Sequence, residues 1–267
     1  MNPNNEKYAE ALRRLLVIMN ELRAKCPWDS KQTLDSLRHL TIEECYELSD
    51  AILEGDLEEI KKELGDVMLH IVFYSKIGAE KKAFDIADVM NGVCEKLIAR
   101  HPHVFGDVTV KNEADVKRNW ELLKLKEKGD NPSVLAGVPK SLPALLKALR
   151  IQEKAHAVGF DWQRREEVWE KVEEEIAEFK ESMSREEAEQ EFGDLLFSLV
   201  NYARFVDINP ETALEKSNKK FIKRFNYIES ATLGAGKTWQ EISLAEMDAY
   251  WEEAKDVQDK SWTPSKK

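Results

Sequence analysis

The segment VEEEIAEFKESMSREEAEQEFGDLLFSLVNYARF, residues 172–205, decides the fold class of this chain. Its apolar residues recur three and four positions apart on both sides of a polar break, which is the spacing of two amphipathic helices. The break contains Ser184, and Glu187 follows three residues later, which is the pattern of a capping box at a helix start. The segment therefore predicts two consecutive helices that pack on each other.

The same periodicity extends over almost the whole chain, without the alternation typical of strands. The 267 residues include 11 glycines and 8 prolines, which cluster, whereas a β-rich chain of this length needs more turn residues. Asp56 and Asn209 have the pattern of helix N-caps. An all-α fold is predicted, with helices at 5–25, 34–54, 57–80, 84–101, 113–127, 143–158, 164–181, 185–206, 210–231 and 239–256.

The chain contains an internal repeat, and each half carries two acidic motifs. The first half reads EECYEL at 43–48 and ELGD at 63–66, and the second half reads EEIAEF at 174–179 and EFGD at 191–194. The first motifs are 131 residues apart and the second motifs 128, so the loop between the acidic helices is three residues shorter in the second half. The recurring acids are Glu44, Glu47, Glu63, Asp66, Glu175, Glu178, Glu191 and Asp194.

The repeat predicts two related helical modules of the four-helix-bundle type. Residues 1–127 are expected to form the N-terminal module and residues 143–256 the C-terminal, catalytic module. Residues 128–142 contain a cluster of glycine and proline and are expected to form a linker. Residues 257–267 are expected to form a flexible tail. A pair of acidic helices is too small to bury its own apolar faces, so we expect a homodimer.

Helical geometry brings the acids of the second half together. At about 100° per residue, Glu175 and Glu178 lie within about 60° of each other, beside the apolar stripe of their helix. Glu191 and Asp194 begin a polar stripe on the next helix that continues to Asn201. Clustered carboxylates repel one another and lose hydration, so we expect a cation among them. Oxygen ligands alone point to Mg²⁺, with Mn²⁺ as the alternative, and therefore to phosphoryl chemistry.

A single acidic helix motif is weak support for a metal site, because about one residue in five is acidic here and most such motifs are solvated faces. The recurrence of both motifs, with a glycine before the aspartate each time, is a stronger indication. These glycines, Gly65 and Gly193, each cost about 1 kcal/mol in mid-helix relative to alanine. Close approach of another helix or room for a ligand would explain both of them.

The chain resembles the MazG family of nucleoside triphosphate pyrophosphohydrolases over about residues 5–256. The second half carries the resemblance in EEIAEF, EFGDLLFSLVNYARF and NKKFIKRF, and the first half in CPWDSKQTLDSLRHLTIEECYELSDAI, ELGDVMLHIVF and RHPHVFGDV. The resemblance implies an all-α fold related to dimeric dUTPases. It also implies magnesium-dependent hydrolysis of nucleoside triphosphates, ribo and deoxy, to the monophosphate and pyrophosphate.

The resemblance assigns roles to particular residues. The catalytic metal ligands would be Glu175, Glu178, Glu191 and Asp194, with a second set at Glu44, Glu47, Glu63 and Asp66. Lys220 and Arg224 are expected to hold phosphates, because arginine forks onto phosphate oxygens and lysine acts as a point charge. Trp251 and Lys255 match the C-terminal segment of the family that contacts the nucleotide.

The halves differ around the acids. Asn201, which we expect to bind substrate, corresponds to Phe73, and Asn218 corresponds to Cys94. The segment around Trp251 has no clear partner in the first half. We therefore expect catalysis in the second half and a weaker or structural role for the first. Besides these positions, Phe160 and Trp162 could stack on a base or close a core.

The charge and composition restrict the partners. The net charge of −11 argues against unaided binding of nucleic acid. The N-terminus is polar and no apolar run approaches the roughly 18 residues of a membrane span, so we expect no membrane partner and a cytoplasmic protein. Three cysteines without zinc spacing fit a reducing compartment. Neither a Walker A loop nor a serine nucleophile elbow is present.

Three alternatives stay open. The first is a narrower enzyme of the same superfamily that acts on dUTP, dCTP or damaged nucleotides. The second is a non-catalytic helical interaction protein whose acidic clusters are solvated faces. The third is a carboxylate di-metal redox protein. A four-helix di-iron site needs two E-x-x-H pairs on helices, whereas only Glu153 and His156 form one here.

Overall fold

The computed structural model describes residues 4–127 and 133–261. Within these ranges it contains eleven α-helices, two short 3-10 helices and no strand, so the all-α prediction is confirmed. None of the described helices has the length and apolar character needed to cross a membrane. The α-helices are α1 (Asn5–Lys25), α2 (Leu34–Glu54), α3 (Leu57–Glu80), α4 (Ile86–Arg100), α5 (Pro102–Phe105), α6 (Glu113–Lys126), α7 (Ala144–Ala157), α8 (Arg165–Glu181), α9 (Arg185–Phe205), α10 (Pro210–Gly234) and α11 (Leu244–Ser261). The 3-10 helices are Asp29–Lys31 and Val134–Gly137.

The chain divides into two compact units, residues 1–116 and 117–267. The dividing point falls within α6, and the module bounds given above stay a prediction. Of the predicted linker, residues 128–132 lie outside the described residues, as do residues 262–267 of the predicted tail. Residues 257–261 of the predicted tail are helical, because α11 continues to Ser261.

The first unit is built on a hairpin of α2 and α3. Helix α1 packs against α3 on one side, and α4 also contacts α3. The turn between α2 and α3 uses Gly55 at a φ of 72°, a left-handed conformation that glycine adopts without strain. The buried apolar core consists of Met19, Leu37, Val72, Phe73 and Ile77.

The second unit repeats this arrangement with a hairpin of α8 and α9. Helix α7 packs against α9 and α10, and α10 packs against α11. The apolar residues buried in this unit include Val168, Val172, Val200, Ile228 and Ala254. Each unit therefore presents its two acidic motifs on the two helices of one hairpin.

Local capping signals place the hairpin helices where the sequence predicts them. The Asp56 side chain accepts hydrogen bonds at the start of α3, including one from the backbone N–H of Glu59 at 3.1 Å. At the start of α9 the Ser184 hydroxyl accepts from the N–H of Glu187, and the Glu187 carboxylate accepts from the N–H of Ser184, both at 3.1 Å. Asn209 caps α10 in the same way. These three predicted helix starts are confirmed.

The predicted bounds of the last helix, 239–256, are wrong at both ends. Helix α11 begins at Leu244, because Ser243 and Glu246 form a capping box in which the Glu246 carboxylate accepts from the Ser243 N–H at 3.0 Å. Before it, Thr238 donates to the carboxylate of Glu241 at 2.8 Å in a separate turn. The apolar spacing continues through this turn, so periodicity alone does not reveal the break.

A buried ionic cluster ties α6 to α7 in the second unit. The Glu121 carboxylate accepts hydrogen bonds from Arg150, from Lys124 at 3.1 Å and from Lys154 at 3.2 Å. Burial alone would raise the pKa of Glu121, but the hydrogen bonds from Arg150 and Lys124 outweigh it and lower this pKa to about 2. Lys154 is 4 % exposed, so its charge depends on this carboxylate for compensation.

Candidate active site

Three acids of the second unit meet between α8 and α9. Glu175, Glu178 and Glu191 each offer one carboxylate oxygen, and these oxygens lie within 4.8 Å of one another. Glu175 is buried, with 5 % of its surface exposed. The fourth predicted ligand, Asp194, lies outside this group and lines the adjoining cavity together with Glu175. The structure therefore brings three of the four acids to one point.

The charge balance of the cluster favours a bound cation. Loss of hydration and then the negative charge of Glu175 raise the pKa of Glu178, and Glu191 acts in the same direction. Lys171 compensates part of this negative charge, since its Nζ lies 2.6 Å from a Glu175 oxygen and 3.0 Å from a Glu174 oxygen. These hydrogen bonds raise the pKa of Lys171. One lysine does not balance the three carboxylates of the cluster. Three carboxylates on two helices form an oxygen-only donor set, which fits Mg²⁺ or Mn²⁺.

The first unit has a corresponding cluster of Glu44, Glu63 and Asp66, with oxygens again within 4.8 Å of one another. Burial and then the charge of Asp66 raise the pKa of Glu44. Glu63 is 2 % exposed, and its Oε1 accepts from Lys62 at 3.0 Å whereas its Oε2 has no hydrogen-bond partner. Glu47 lies outside this group, although burial and the charge of Glu63 raise its pKa.

The glycines beside the two clusters do not serve close helix packing. A Cβ added to Gly65 or Gly193 would meet no heavy atom within 4 Å. The expectation of close helix approach is therefore wrong for this chain as described. The second explanation, room next to the acids, agrees with the open space at both positions.

A cavity of about 450 Å³ adjoins the acids of the second unit. Arg204 organises its polar wall, because it donates to Asp161 at 2.6 Å and to the side-chain oxygen of Asn201 at 2.8 Å. The predicted substrate residue Asn201 lines this cavity, as do the candidate stacking residues Phe160 and Trp162. The other lining residues are Leu135, Ile151, Gln152, Ala155, Asp161, Lys171, Glu175, Asp194, Phe197, Ser198 and Arg204.

The repeat shows what the first unit has at the same positions. Asn201 and Ser198 lie 128 residues after Phe73 and His70, which is the offset of the second acidic motif. Phe73 is 3 % exposed and belongs to the apolar core, and His70 is 7 % exposed with its Nδ1 2.7 Å from the Thr41 hydroxyl. Burial lowers the pKa of His70, which favours the neutral ring. In the first unit, core side chains therefore occupy positions that line the cavity in the second.

The predicted phosphate and nucleotide residues lie on α10 and α11. The Arg224 guanidinium lies 5.4 Å from the centroid of the Trp251 ring, so the structure brings these two together. Lys220 is exposed, and Lys255 pairs with Glu252. None of the four predicted residues lines the cavity as described.

Several site residues escaped sequence-level reasoning, namely Gln152, Asp161, Lys171 and Arg204. Lys171 carried a signal, because it lies four residues before Glu175 and therefore on the same helix face. Asp161 and Arg204 come from different elements, and only the tertiary fold pairs them. Glu153 and His156, the residues of the single E-x-x-H pair, contact different partners. Glu153 accepts from Arg150 at 2.7 Å, and the His156 ring lies 2.7 Å from an Asp161 oxygen.

Comparison with known proteins matches both hairpins to one family. The model for the MazG nucleotide pyrophosphohydrolase domain matches residues 32–105 and again residues 163–228. The nucleoside triphosphate pyrophosphohydrolase/pyrophosphatase MazG of Thermotoga maritima is 47 % identical over 90 % of this chain and 94 % of its own length. The nucleoside triphosphate pyrophosphohydrolase of Escherichia coli K12 is 38 % identical over 91 % of this chain and 96 % of its own length. The uncharacterized protein YabN of Bacillus subtilis is 48 % identical over 91 % of this chain, which spans 51 % of YabN.

Two repeated acidic hairpins and relatives of nearly full length define a class of helical nucleotide-cleaving enzymes. The chain belongs to the MazG nucleotide pyrophosphohydrolase family. The resemblance stated from the sequence motifs is confirmed, and so is the tandem arrangement of two related helical modules.

Proposed function

We propose that the second unit hydrolyses nucleoside triphosphates, both ribo and deoxy, to the nucleoside monophosphate and pyrophosphate with Mg²⁺ as cofactor. The observation that carries this proposal is the position of the Glu175, Glu178 and Glu191 cluster beside a cavity of about 450 Å³. Nucleoside-sized ligands occupy cavities of roughly 300–1,000 Å³. The names of the relatives from Thermotoga maritima and Escherichia coli support the same reaction.

The residues present suit an in-line attack of water on the α-phosphorus. When bound to Glu175, Glu178, Glu191 and Asp194, Mg²⁺ would neutralise phosphate charge and lower the pKa of water. A carboxylate of the cluster takes the proton of the attacking water. The bond between the α-phosphorus and its bridging oxygen breaks, and pyrophosphate leaves with the electron pair. Lys220 and Arg224, on the neighbouring α10, stabilise the leaving charge where the triphosphate extends beyond the cavity. Trp251 and Lys255 lie on α11, which packs on α10, and we place their contacts with the nucleotide outside the cavity as well.

We propose that the first unit binds metal at Glu44, Glu63 and Asp66, with Glu47 beside them, and that its role is structural or catalytically weaker than that of the second unit. Its cluster has the same donor chemistry, and the unpartnered oxygen of Glu63 suits a cation. Phe73 stands in the core at the position of Asn201, so the first unit lacks the polar wall against which we place the nucleoside.

We propose a cytoplasmic homodimer without nucleic-acid or membrane partners. Apolar side chains remain exposed along whole helix faces of the described chain, and a second copy could cover them. On α4 these residues are Val89, Met90, Val93 and Leu97, and on α9 they are Phe192, Leu196 and Leu199. The net charge of −11 opposes nucleic acid, as argued above.

Product analysis with a panel of ribo- and deoxynucleoside triphosphates and Mg²⁺ tests the reaction. We expect monophosphate and pyrophosphate from the wild-type protein and from Glu44→Ala, and loss of both products with Glu175→Ala. Diphosphate and phosphate would overturn the assigned bond cleavage, and comparable activity in Glu175→Ala would overturn the assignment to the second unit. Turnover restricted to dUTP, dCTP or damaged nucleotides would replace the broad activity by the narrower one. No turnover would favour a non-catalytic interaction protein.

A further inference from the structure

Gln152 on α7 is a buried polar residue without a role in the reaction as described. It is 6 % exposed and lines the cavity next to the acidic cluster. It lies outside both segments that match the family domain, residues 32–105 and 163–228. Its side chain carries both a donor and an acceptor, so its burial requires partners for each.

The orientation of the Gln152 amide is fixed by one contact. Its Nε2 donates to the backbone oxygen of Phe197 at 2.8 Å. A backbone carbonyl only accepts hydrogen bonds, so a flipped amide would place two acceptors against each other. Oε1 must therefore be the free end, and it is buried without a hydrogen-bond partner in the described chain.

Asp161, Arg204 and His156 form one polar network on the wall that Gln152 shares, and Ser198 and Asp194 line the same cavity. The Asp161 oxygens accept from Arg204 at 2.6 Å and contact His156 at 2.7 Å, and the Asn201 oxygen accepts from Arg204. The remaining wall includes the side chains of Ile151, Ala155 and Trp162. Gln152 Oε1 is thus an unsatisfied acceptor beside the Asp161–Arg204 pair, whose two charges compensate each other.

An acceptor needs a hydrogen-bond donor, and among the groups of the substrate only one end carries donors. An ionised triphosphate offers acceptor oxygens and no donor, so it cannot satisfy the Oε1 atom of Gln152. The nucleoside carries donors, namely the N–H groups of the base and the hydroxyl groups of the sugar. The apolar part of this wall, with Ile151, Ala155 and Trp162, also suits a nucleoside better than a triphosphate.

We propose that Gln152 is a specificity-determining residue whose Oε1 accepts a hydrogen bond from a donor group of the substrate's nucleoside. This inference rests on the proposed pyrophosphohydrolase activity and places the nucleoside against α7, with the triphosphate directed towards Glu175. A substrate without the matching donor leaves the Gln152 acceptor unsatisfied and is rejected.

Pairs of substrates that differ by one donor test the assignment. The base pairs are ATP against the triphosphate of purine riboside, and UTP against 3-methyl-UTP. The sugar pair is ATP against its 3′-deoxy form, because the proposed turnover of deoxy substrates excludes the 2′ hydroxyl as the required donor. In the wild-type protein we expect that removing either the base donor or the sugar donor lowers kcat/KM by about ten- to a hundredfold. The pair that shows this loss identifies the base or the sugar as the source of the donor. In Gln152→Met, which has similar size and no acceptor, the same pair should differ by no more than about twofold.

Gln152→Asn is the second variant, because its amide keeps both a donor for the Phe197 carbonyl and an oxygen acceptor. It should retain more of the discrimination than Gln152→Met does, even where both variants lower the melting temperature equally. Equal discrimination in the wild type and in Gln152→Met, with turnover intact, would overturn this inference alone. If the wild-type protein turns over no triphosphate, the proposed function falls and this inference falls with it.

Discussion

Replacing Glu175 by glutamine should remove most of the stabilisation that Mg²⁺ gives to the second unit. The change keeps the shape of a residue that is 5 % exposed and deletes one charge from a set of oxygens within 4.8 Å of one another. One ion at a concentration 100 times its dissociation constant stabilises a folded unit by about 2.7 kcal/mol. For a unit of about 150 residues this corresponds to a melting temperature about 5–11 °C higher.

The effect of the Glu175→Gln variant follows from the same relation. Loss of a direct ligand should weaken binding at least as much as loss of an outer partner, which reaches about 100-fold. At the same Mg²⁺ concentration the remaining stabilisation is about 0.4 kcal/mol, or about 1–2 °C. The assay is calorimetry during a Mg²⁺ titration in a Glu63→Gln background, so that the cluster of the first unit does not contribute.

Glu174→Gln is the matched control for Glu175→Gln. Glu174 is exposed, lies one residue away on α8 and also pairs with Lys171, at 3.0 Å, but it does not belong to the cluster. It should keep the full Mg²⁺-dependent rise. An equal loss in both variants would show that the general charge of α8, and not the cluster, attracts the ion. A full rise in Glu175→Gln would refute the metal site in the second unit.

The other predictions concern stability. Glu121→Gln should destabilise the second unit by about 3–5 kcal/mol at pH 7 in urea unfolding, because Lys154 keeps a buried charge without its carboxylate; a cost under about 1 kcal/mol would contradict this. Because the pKa of Glu121 is lowered to about 2, its contribution is complete above its ordinary value of 4.5 and is lost as the pH falls towards 2, so wild-type and Glu121→Gln stabilities should converge over that window. Gly78→Ala should cost about 1–3 kcal/mol in the first unit, since its Cβ would lie 2.8 Å from the Phe84 backbone oxygen. Gly65→Ala, in open space on the same helix, should instead raise the free energy of unfolding by up to about 1 kcal/mol.

Most of the helical framework could be predicted from the sequence, because local signals decide it. Asp56, Ser184 and Asn209 cap helices through contacts with residues two or three positions away, and such contacts are visible in the sequence. The start of α11 was missed although Ser243 and Glu246 form the same kind of box. There the apolar periodicity continued across the turn and concealed the break.

The acidic cluster was predictable and the cavity was not, for a geometric reason. Glu175 and Glu178 share a helix face, and the short loop to α9 brings Glu191 opposite them. The cavity depends instead on how α7 packs against α9, which sets Gln152 beside the Phe197 backbone across 45 residues of sequence. Such a contact has no periodicity to reveal it. The relation of Arg224 and Trp251 to the cavity likewise depends on the packing of α10 and α11.

Phe73 in the first unit and Asn201 in the second unit are at equivalent positions, and this difference bears on the thermal inactivation of the protein. A buried phenylalanine contributes about 1.5–3 kcal/mol of apolar burial, which the second unit gives up at the equivalent position in order to keep a polar cavity wall. At this position the half that we propose to be catalytic therefore has less apolar burial than the first half. Where this difference decides which unit unfolds first, heating abolishes turnover while the first unit is still helical, and the remaining helix signal then comes from inactive protein.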